Sequence, residues 1–314
     1  MGEMVDGVWR SDEDLAHAAD GHFLRPPTRF RDTIAEGGPH PPEPGRYHLY
    51  VSLACPWAHR ALIVRKLKGL DEIVSLSVTH WLMRLDGWTF APDPGVVPDP
   101  FGAQLLREVY RRADPHYSGR VTVPILWDKQ AGTIVNNESS EIIRIFGSAF
   151  DAVGAVPLDL YPVVRRAEID AVNARVYDTL NNGVYRSGFA TTQAAYEAAV
   201  VPLFETLDWL EATLARQPFV CGDAPTEADW RLFTTLVRFD AVYHGHFKCN
   251  LRRLVDYPAL WDYARRLYQW PGVRETVDFA HIKGHYYGSH RTINPTGIVP
   301  LGPVLDWDAP SERR

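Results

Sequence analysis

The sequence predicts a protein of two domains, in which an α/β domain precedes a domain built only from helices. Strand-like and helix-like segments alternate over residues 46–150, whereas the periodic segments after residue 160 all have helical spacing. The chain has 314 residues, of which 46% are hydrophobic and 23% are charged, so it is long enough for two hydrophobic cores.

The α/β domain begins with a strand, a helix and a second strand. An apolar, aromatic run from Tyr47 to Leu53 follows a Pro-Gly pair and predicts a buried strand. Pro56 suits the first turn of a helix, where a missing N–H costs nothing, and Gly69 suits its end. Alternating apolar and polar residues over 72–78 predict the second strand, parallel to the first with a right-handed crossover.

An irregular, proline-rich insertion is predicted at 80–119, with one short helix at 104–112. A long irregular segment beside a reactive residue often contacts substrate. Trp88 lies in this insertion, and it suits either a ligand contact or a hydrophobic plug.

A β-hairpin is predicted after the insertion, with strands ending at Trp127 and spanning 133–135. Proline is unfavourable inside a central strand, so Pro124 predicts a strand start or a turn just before one. A cis bond at this proline would present the backbone of Val123 to a ligand peptide.

The next helix predicts a site for a zwitterionic amino-acid end. Asn137 is the expected N-cap, so Glu138 and Ser139 fall in the first turn. Free N–H groups and the serine hydroxyl can hold a carboxylate there, while the glutamate can hold an ammonium group. The alternative is a capping pattern without a ligand.

Cys55 is the candidate nucleophile. It lies between the first strand and its helix, where unpaired N–H groups and the helix dipole favour an anion such as a thiolate. The alternative is a small buried hydrophobe, which free cysteine usually is. Ala58 occupies the fourth position of a Cys-x-x-Cys motif, so a mixed disulfide on Cys55 must be resolved by an external thiol.

The second domain is predicted to be entirely helical. Thr226 and Asp229 resemble a capping box, which is a folding device rather than a site. Helical spacing covers 165–181, 191–216, 226–239, 259–269 and 272–279, before a Gly- and Tyr-rich tail at 285–295. The predicted organisation is an N-terminal arm without its own core at 1–45, an α/β domain at 46–150, an all-helical domain at 160–290 and a tail at 291–314.

Composition narrows the classes of function. A net charge of -6 argues against general binding to nucleic acid or to anionic membranes. Three cysteines are too few for a disulfide framework, and the N-terminus lacks an apolar signal core, so we expect a cytoplasmic protein. No metal site is expected, because neither histidine group has a familiar zinc spacing. These groups are His244, His246 and Cys249, and His281, His285 and His290.

The motifs together resemble those of the glutathionyl-hydroquinone reductases, the xi class of glutathione transferases. The resemblance covers nearly the whole chain, and Cys-Pro-Trp-Ala joined to the tail motif is its most specific part. The matching stretches are Arg46-Tyr-His-Leu-Tyr-Val-Ser-Leu-Ala-Cys-Pro-Trp-Ala-His-Arg60, Gly87-Trp-Thr-Phe90, Ala113-Asp-Pro-His-Tyr-Ser-Gly-Arg-Val-Thr-Val-Pro124, Asn181-Asn-Gly-Val-Tyr185, Arg238-Phe-Asp240, His246-Phe-Lys-Cys249 and Thr292-Ile-Asn-Pro-Thr-Gly297.

The resemblance implies a thioredoxin-like N-terminal domain, an all-α glutathione-transferase domain and a homodimer. It implies glutathione as co-substrate, a glutathionyl-hydroquinone as the second substrate, and Cys55 as the nucleophile. Glutathione would be held by Trp88, Arg120, Val123, Glu138 and Ser139, and the aromatic substrate would meet Tyr185, Tyr243 and Tyr286. A single tyrosine is otherwise more often a packing residue.

Two other functions remain open at this stage. An omega-like thiol transferase or dehydroascorbate reductase would use Cys55 in the same way without needing the tyrosines. Full activity on its substrates after all three tyrosines are replaced by phenylalanine would support it. A non-enzymatic glutathione-binding protein would keep the fold, but its Cys55 thiol would be no more reactive than that of an ordinary cysteine.

Overall fold

A computed structural model describes residues 2–11, 20–23 and 27–311. The chain divides into two compact units, and both are assembled from separate stretches of sequence. The described residues of Met1–Ala16, Pro26–Leu158 and Thr276–Ser289 form the first unit. Those of His17–Arg25, Asp159–Glu275 and His290–Arg314 form the second.

Two small sheets organise the first unit. The strands are β1 (Glu3–Val5), β2 (Val8–Arg10), β3 (Tyr47–Val51), β4 (Val74–Val78), β5 (Gly119–Arg120), β6 (Ile125–Asp128) and β7 (Thr133–Asn136). The main sheet has the order β4-β3-β6-β7, with β3 parallel to β4 and antiparallel to β6. All five residues of β3 are buried, as expected for a central strand covered on both faces.

The N-terminal arm contains a hairpin that the sequence analysis did not predict. Strands β1 and β2 pair with each other, and β1 also pairs with β5 to complete a three-stranded sheet. Met4 is buried in this sheet. Strands of two or three residues are too short to show a period, and β5 lies more than 100 residues away in sequence, so local patterns give no signal.

Three helices complete the sequential part of the first unit: α1 (Pro56–Leu67), α2 (Leu106–Ala113) and α3 (Ser139–Ser148). Helix α1 follows β3 and precedes β4, so the predicted strand, helix, strand order is confirmed. Helix α2 is the short helix expected within the insertion. Strand β6 starts one residue after Pro124, which confirms that this proline marks a strand start.

The second unit is built from helices. They are α4 (Arg166–Val176), α5 (Gly183–Gly188), α6 (Gln193–Leu214), α7 (Glu227–Arg238), α8 (His244–His246) and α9 (Pro258–Tyr268). Thr226 caps α7 and forms the predicted capping box with Asp229. Wider π-helical turns at Tyr177–Asn181 and Phe239–Tyr243 interrupt the α-helical geometry.

The last helix, α10 (Phe279–Ser289), belongs to the first unit although it lies within the range 160–290. The predicted helix at 272–279 is wrong, because Gly272 has a φ of +82° and only a 3₁₀ turn follows at Arg274–Thr276. The first residues of the predicted Gly- and Tyr-rich tail, 285–289, are helical and form the end of α10. Glycine disfavours helices, but Gly284 and Gly288 let the Trp81 ring approach the helix backbone closely.

Across the described residues, no helix is both long and apolar enough to cross a membrane.

Candidate active site

Cys55 lies at the start of α1, as the sequence predicts. It is the N-cap residue, with extended backbone angles (φ -78°, ψ 120°), and Pro56 takes the first helical position. Its carbonyl accepts the first helical hydrogen bond from the His59 N–H at 3.0 Å. The residue is only partly buried, and the first turn of α1 carries no acidic side chain. This position places the positive end of the helix dipole beside a reachable sulfur.

Val123 lies directly beside the cysteine. The Cys55 thiol donates a hydrogen bond to the Val123 carbonyl, with 3.7 Å between sulfur and oxygen. The Val123-Pro124 peptide bond is cis, as the strand-breaking proline suggested. The structure therefore brings together the candidate nucleophile and a backbone segment that lie 68 residues apart in sequence.

The start of α3 differs by one residue from the prediction. Glu138, rather than Asn137, is the N-cap, and Ser139 is the first helical residue. The Asn137 side chain instead bonds the Phe30 N–H and the Tyr110 hydroxyl, so tertiary contacts take it away from the helix end. The Glu138 carboxylate accepts from the Ser140 N–H at 3.1 Å.

The Glu138 carboxylate also accepts a hydrogen bond from the Ser140 hydroxyl at 3.0 Å, and two further hydroxyl groups lie at the limit of hydrogen-bond distance. The Thr28 hydroxyl lies 3.5 Å from one carboxylate oxygen, and the Ser139 hydroxyl lies 3.5 Å from the other. Ser139 is buried, whereas Glu138 is partly exposed. A carboxylate and helix N–H groups are thus adjacent, which is the donor and acceptor set that a zwitterion requires.

Trp88 is buried in the insertion, with 6% of its surface exposed. Its ring stacks on His285 of α10, with 4.8 Å between ring centroids and 22° between the planes. Its carbonyl accepts a hydrogen bond from the Leu106 N–H at 2.9 Å. His285 was not predicted to have any site role, since no local pattern links residues nearly 200 positions apart.

Arg120 lies in β5, where its backbone pairs with Glu3 of the N-terminal hairpin. Its carbonyl accepts a hydrogen bond from the Tyr117 hydroxyl at 3.0 Å. The residue is half-buried. The hairpin therefore fixes the strand that carries this guanidinium group.

The three predicted tyrosines divide between the two units. Tyr286 is buried in α10 of the first unit. In the second unit, Tyr185 of α5 and Tyr243 of the π-helical turn have ring centroids 6.1 Å apart. Phe247 lies against both rings, stacked on Tyr243 with 15° between the planes. Helical turns of this wider type are frequent at functional sites, and one of them contains Tyr243.

His246 belongs to one of the two histidine groups noted in the sequence, and its side chain is buried. Burial lowers the pKa of His246 to about 4, with a smaller contribution from the positive charge of Lys248. The Nε2 of His246 and Nδ1 of His290 lie 3.1 Å apart, which is a hydrogen bond between imidazoles. Among the residues that the structure describes, no group of three or more His, Cys, Asp or Glu side chains could hold a metal ion.

Among the predicted site residues, direct contacts join Cys55 to Val123, Glu138 to Ser139, and Tyr185 to Tyr243. Trp88 contacts His285, and the backbone of Arg120 pairs with the N-terminal hairpin.

Sequence profiles of known families match both units. The profile of the glutathione S-transferase N-terminal domain matches residues 54–149, and that of the C-terminal domain matches residues 193–266. Together with the sheet and helices described above, these matches confirm the predicted fold class, a thioredoxin-like domain followed by an all-α glutathione-transferase domain.

Whole-chain comparisons are more specific. A protein named glutathionyl-hydroquinone reductase PcpF, from Sphingobium chlorophenolicum, is 58% identical over 97% of both chains. The glutathione-bound structure of YqjG, a glutathione transferase homologue from Escherichia coli K-12, has 51% identity, a TM-score of 0.91 and 99% coverage of both chains. The glutathione-S-transferase Xi from Phanerochaete chrysosporium has 55% identity and a TM-score of 0.88, covering 90% of this chain and 98% of that one.

This chain belongs to the xi class of glutathione transferases. The resemblance inferred from the Cys-Pro-Trp-Ala motif is confirmed by these matches. In this xi-class chain, the proline of that motif opens α1 and the cysteine caps it.

Proposed function

We propose that this xi-class protein reduces glutathionyl-hydroquinones to hydroquinones, with glutathione as the reductant and a Cys55-glutathione mixed disulfide as the intermediate. The observation that carries the proposal is the placement of a partly exposed Cys55 at the start of α1, beside the backbone of Val123. The 58% identity to a protein named as such a reductase supports the choice of substrate.

Glutathione is held by Trp88, Arg120, Val123, Glu138 and Ser139 in this proposal. The adjacent carboxylate, hydroxyl and helix N–H groups at the start of α3 bind the ammonium and carboxylate of the γ-glutamyl end. The backbone of Val123 pairs with the peptide of glutathione, and its contact with Cys55 brings the glutathione sulfur to the nucleophile.

In the first half-reaction, the Cys55 thiolate attacks the sulfur of the glutathionyl-hydroquinone. A disulfide bond forms between Cys55 and glutathione while the bond from sulfur to the ring carbon breaks. The ring carbon receives its proton before the bond breaks, so the electron pair of the broken bond enters the ring and restores its aromaticity, and the keto oxygen takes up a proton to become the hydroxyl of the released hydroquinone. The two-electron reduction of the ring carbon is balanced by oxidation of the two sulfurs to a disulfide.

An aromatic carbon is a poor leaving group unless its ring is protonated first. The hydroxyls of Tyr185, Tyr243 and Tyr286 donate hydrogen bonds to the substrate oxygens, favour the keto tautomer and supply the proton. The rings of Tyr185 and Tyr243 already lie within 6.1 Å of each other, so they can act on the same substrate.

In the second half-reaction, the thiolate of a second glutathione attacks the glutathione sulfur of the mixed disulfide. Oxidised glutathione leaves and the Cys55 thiolate is regenerated. The external thiol is required because Ala58 takes the place of a resolving cysteine. The sum is one glutathionyl-hydroquinone and one glutathione converted to one hydroquinone and one oxidised glutathione.

We also propose that the protein works as a homodimer in the cytoplasm. The family resemblance supports the dimer. None of the three cysteines, Cys55, Cys221 and Cys249, is joined in a disulfide, which suits a reducing compartment.

Single-turnover mass spectrometry tests the reductase proposal. The wild-type protein and Cys55→Ser are each mixed with a glutathionyl-hydroquinone in the absence of free glutathione. Wild type should gain one glutathione at Cys55 while free hydroquinone appears, and Cys55→Ser should do neither. A parallel sample of the wild type receives oxidised glutathione in place of the thioether. If Cys55 is modified only in that sample and the thioether survives in the other, the protein is a thiol transferase or a glutathione binder, and the reductase proposal is overturned.

A further inference from the structure

We propose that His285 is a positioning residue, whose imidazole holds the Trp88 ring in the orientation that glutathione binding requires. The inference rests on the proposed function, because that proposal places Trp88 in the glutathione site. It deepens the proposal by connecting the glutathione site to α10, the helix that also carries Tyr286.

The contact between the two rings is extensive and shielded from water. Trp88 and His285 stack with 4.8 Å between centroids and 22° between planes, and they are 6% and 7% exposed. A stacked aromatic pair of this kind stabilises one ring orientation beyond the effect of burial alone.

Hydrogen bonding fixes the imidazole itself. Its Nδ1 lies 2.8 Å from the Trp81 carbonyl oxygen, and a carbonyl only accepts, so this nitrogen carries the proton. The Ser289 hydroxyl lies 3.3 Å from the same nitrogen. His285 therefore cannot rotate away from Trp88 without losing a buried hydrogen bond.

The Trp81 carbonyl is in turn held at a fixed position. The indole N–H of Trp81 donates to the Asp93 carboxylate at 2.6 Å. The Trp81 ring packs against the backbone of α10, where a Cβ added at Gly284 would come within 2.8 Å of a ring carbon, and one at Gly288 within 3.2 Å. These two glycines allow the insertion and α10 to approach closely enough for the carbonyl to reach His285.

The backbone of Trp88 is anchored independently of His285. Its carbonyl accepts from the Leu106 N–H at 2.9 Å. The preceding Gly87 has a φ of +73°, and a Cβ added there would meet the Trp9 ring at 2.9 Å, so this turn has no room for a larger residue. The remaining freedom of Trp88 lies in its side chain, and the stack on His285 restricts that freedom.

His285 also contacts its neighbour in α10. The rings of His285 and Tyr286 lie edge to face, with centroids 5.4 Å apart. One imidazole therefore contacts a residue proposed for glutathione and a residue proposed for the aromatic substrate. Loss of the imidazole face should weaken glutathione binding first, because the stack on Trp88 is the closer of the two ring contacts.

Two substitutions separate the stacking from the hydrogen bond. His285→Asn keeps an amide N–H near the position of Nδ1 but removes the ring, whereas His285→Phe keeps a ring but removes the hydrogen bond. His281→Gln is the matched control. His281 lies one turn earlier on α10, its Nε2 lies 2.7 Å from the Pro94 carbonyl, and an amide can replace that contact.

The measurement is the dissociation constant of glutathione by titration calorimetry, in a Cys55→Ser background, together with KM and kcat for the thioether in the Cys55 protein. We expect His285→Asn to weaken glutathione binding about threefold to tenfold and to raise KM more than it lowers kcat. His285→Phe should stay within about twofold of the unsubstituted protein, and His281→Gln should be unchanged.

Equal affinity in His285→Asn and His281→Gln would overturn the inference. Equal weakening in His285→Asn and His285→Phe would overturn it as well, because the hydrogen bond rather than the stack would then matter. If His285→Asn fails to fold, His285→Leu takes its place, because it also removes the flat ring but keeps an apolar side chain. Weaker glutathione binding in His285→Leu than in His285→Phe supports the stack, and equal affinity in the two overturns the inference. Failure of the wild type to release hydroquinone would refute the proposed function while leaving the calorimetric comparison intact.

Discussion

Cys55 in the first unit and Cys249 in the second show how differently one side chain can be placed. Cys55 caps a helix, is partly exposed, and lies beside the backbone carbonyl of Val123. Cys249 is fully buried in the helical unit, where its thiol lies 3.8 Å from the Phe247 carbonyl. The residue type is the same, and only the backbone setting and the access of water differ.

The difference appears in the chemistry that each thiol can perform. Burial raises the pKa of the Cys249 thiol to about 12, and the neighbouring Ser187 hydroxyl and the positive charge of Lys248 offset a part of this effect. Burial likewise raises the pKa of Cys221 to about 12, helped by the negative charge of Asp229. A thiol of this kind stays neutral at physiological pH, and only the thiolate is a nucleophile. The comparison teaches that position, more than residue type, decides whether a cysteine can form a thiolate that a substrate can reach.

The largest expected effect is on turnover. Cys55→Ala should lower kcat/KM for a glutathionyl-hydroquinone by at least about 1,000-fold, because it removes the sulfur that attacks in the proposed reaction. Cys249→Ala, the matched control, should stay within about twofold. Steady-state assays of hydroquinone release measure both, and a loss of similar size in both variants would break the comparison.

Rates of alkylation compare the reactivity of the three cysteine thiols directly, without any substrate. A pKa of about 12 leaves about one molecule in 10,000 of Cys221 or Cys249 as thiolate at pH 8. Because the pKa is raised, this fraction stays small as the pH increases until it approaches 12. Iodoacetamide should therefore modify Cys55 at least about 100-fold faster than the other two between pH 7 and 9.

Peptide mapping after timed quenching gives the three alkylation rates separately. Unfolding in guanidinium chloride is the control, since it should bring the three rates to within about tenfold of each other. Rapid modification of Cys249 in the folded protein would contradict the burial argument.

The smallest effect is expected on the free energy of unfolding. Here Cys249→Ala should cost more than Cys55→Ala, which is the reverse of the order expected for turnover. Cys249→Ala deletes a sulfur from a packed core and should cost about 1 kcal/mol of the free energy of unfolding. Cys55→Ala deletes a partly exposed sulfur and should change that free energy by less than about 0.5 kcal/mol. Urea midpoints measured for both variants check this order, and a larger shift for Cys55→Ala would disprove it.

Several features of the site and of the fold could be predicted from local sequence. Cys55 at the start of α1 and Pro124 before β6 were predicted because proline has few permitted places in helices and strands. The capping box of Thr226 was also predicted, since both of its partners lie within one turn.

Other features were missed where a distant contact overrides a local preference. Asn137 is a good N-cap by type, but Phe30 and Tyr110 engage its side chain, so the helix starts one residue later. The part of α10 from residue 285 onward was assigned to a Gly- and Tyr-rich tail, because its glycines are unfavourable in a helix until Trp81 packs on them.

The sequence by itself determined the order of strands and helices around Cys55, the helical nature of the later part of the chain and, through its motifs, the family. These are local properties, set by backbone preferences and by the spacing of apolar residues. Only the tertiary structure decided that the N-terminal hairpin pairs with β5 and that α10 belongs to the first unit. It also decided that His285 stacks on Trp88, because that contact depends on the packing of residues almost 200 positions apart, which no local preference encodes.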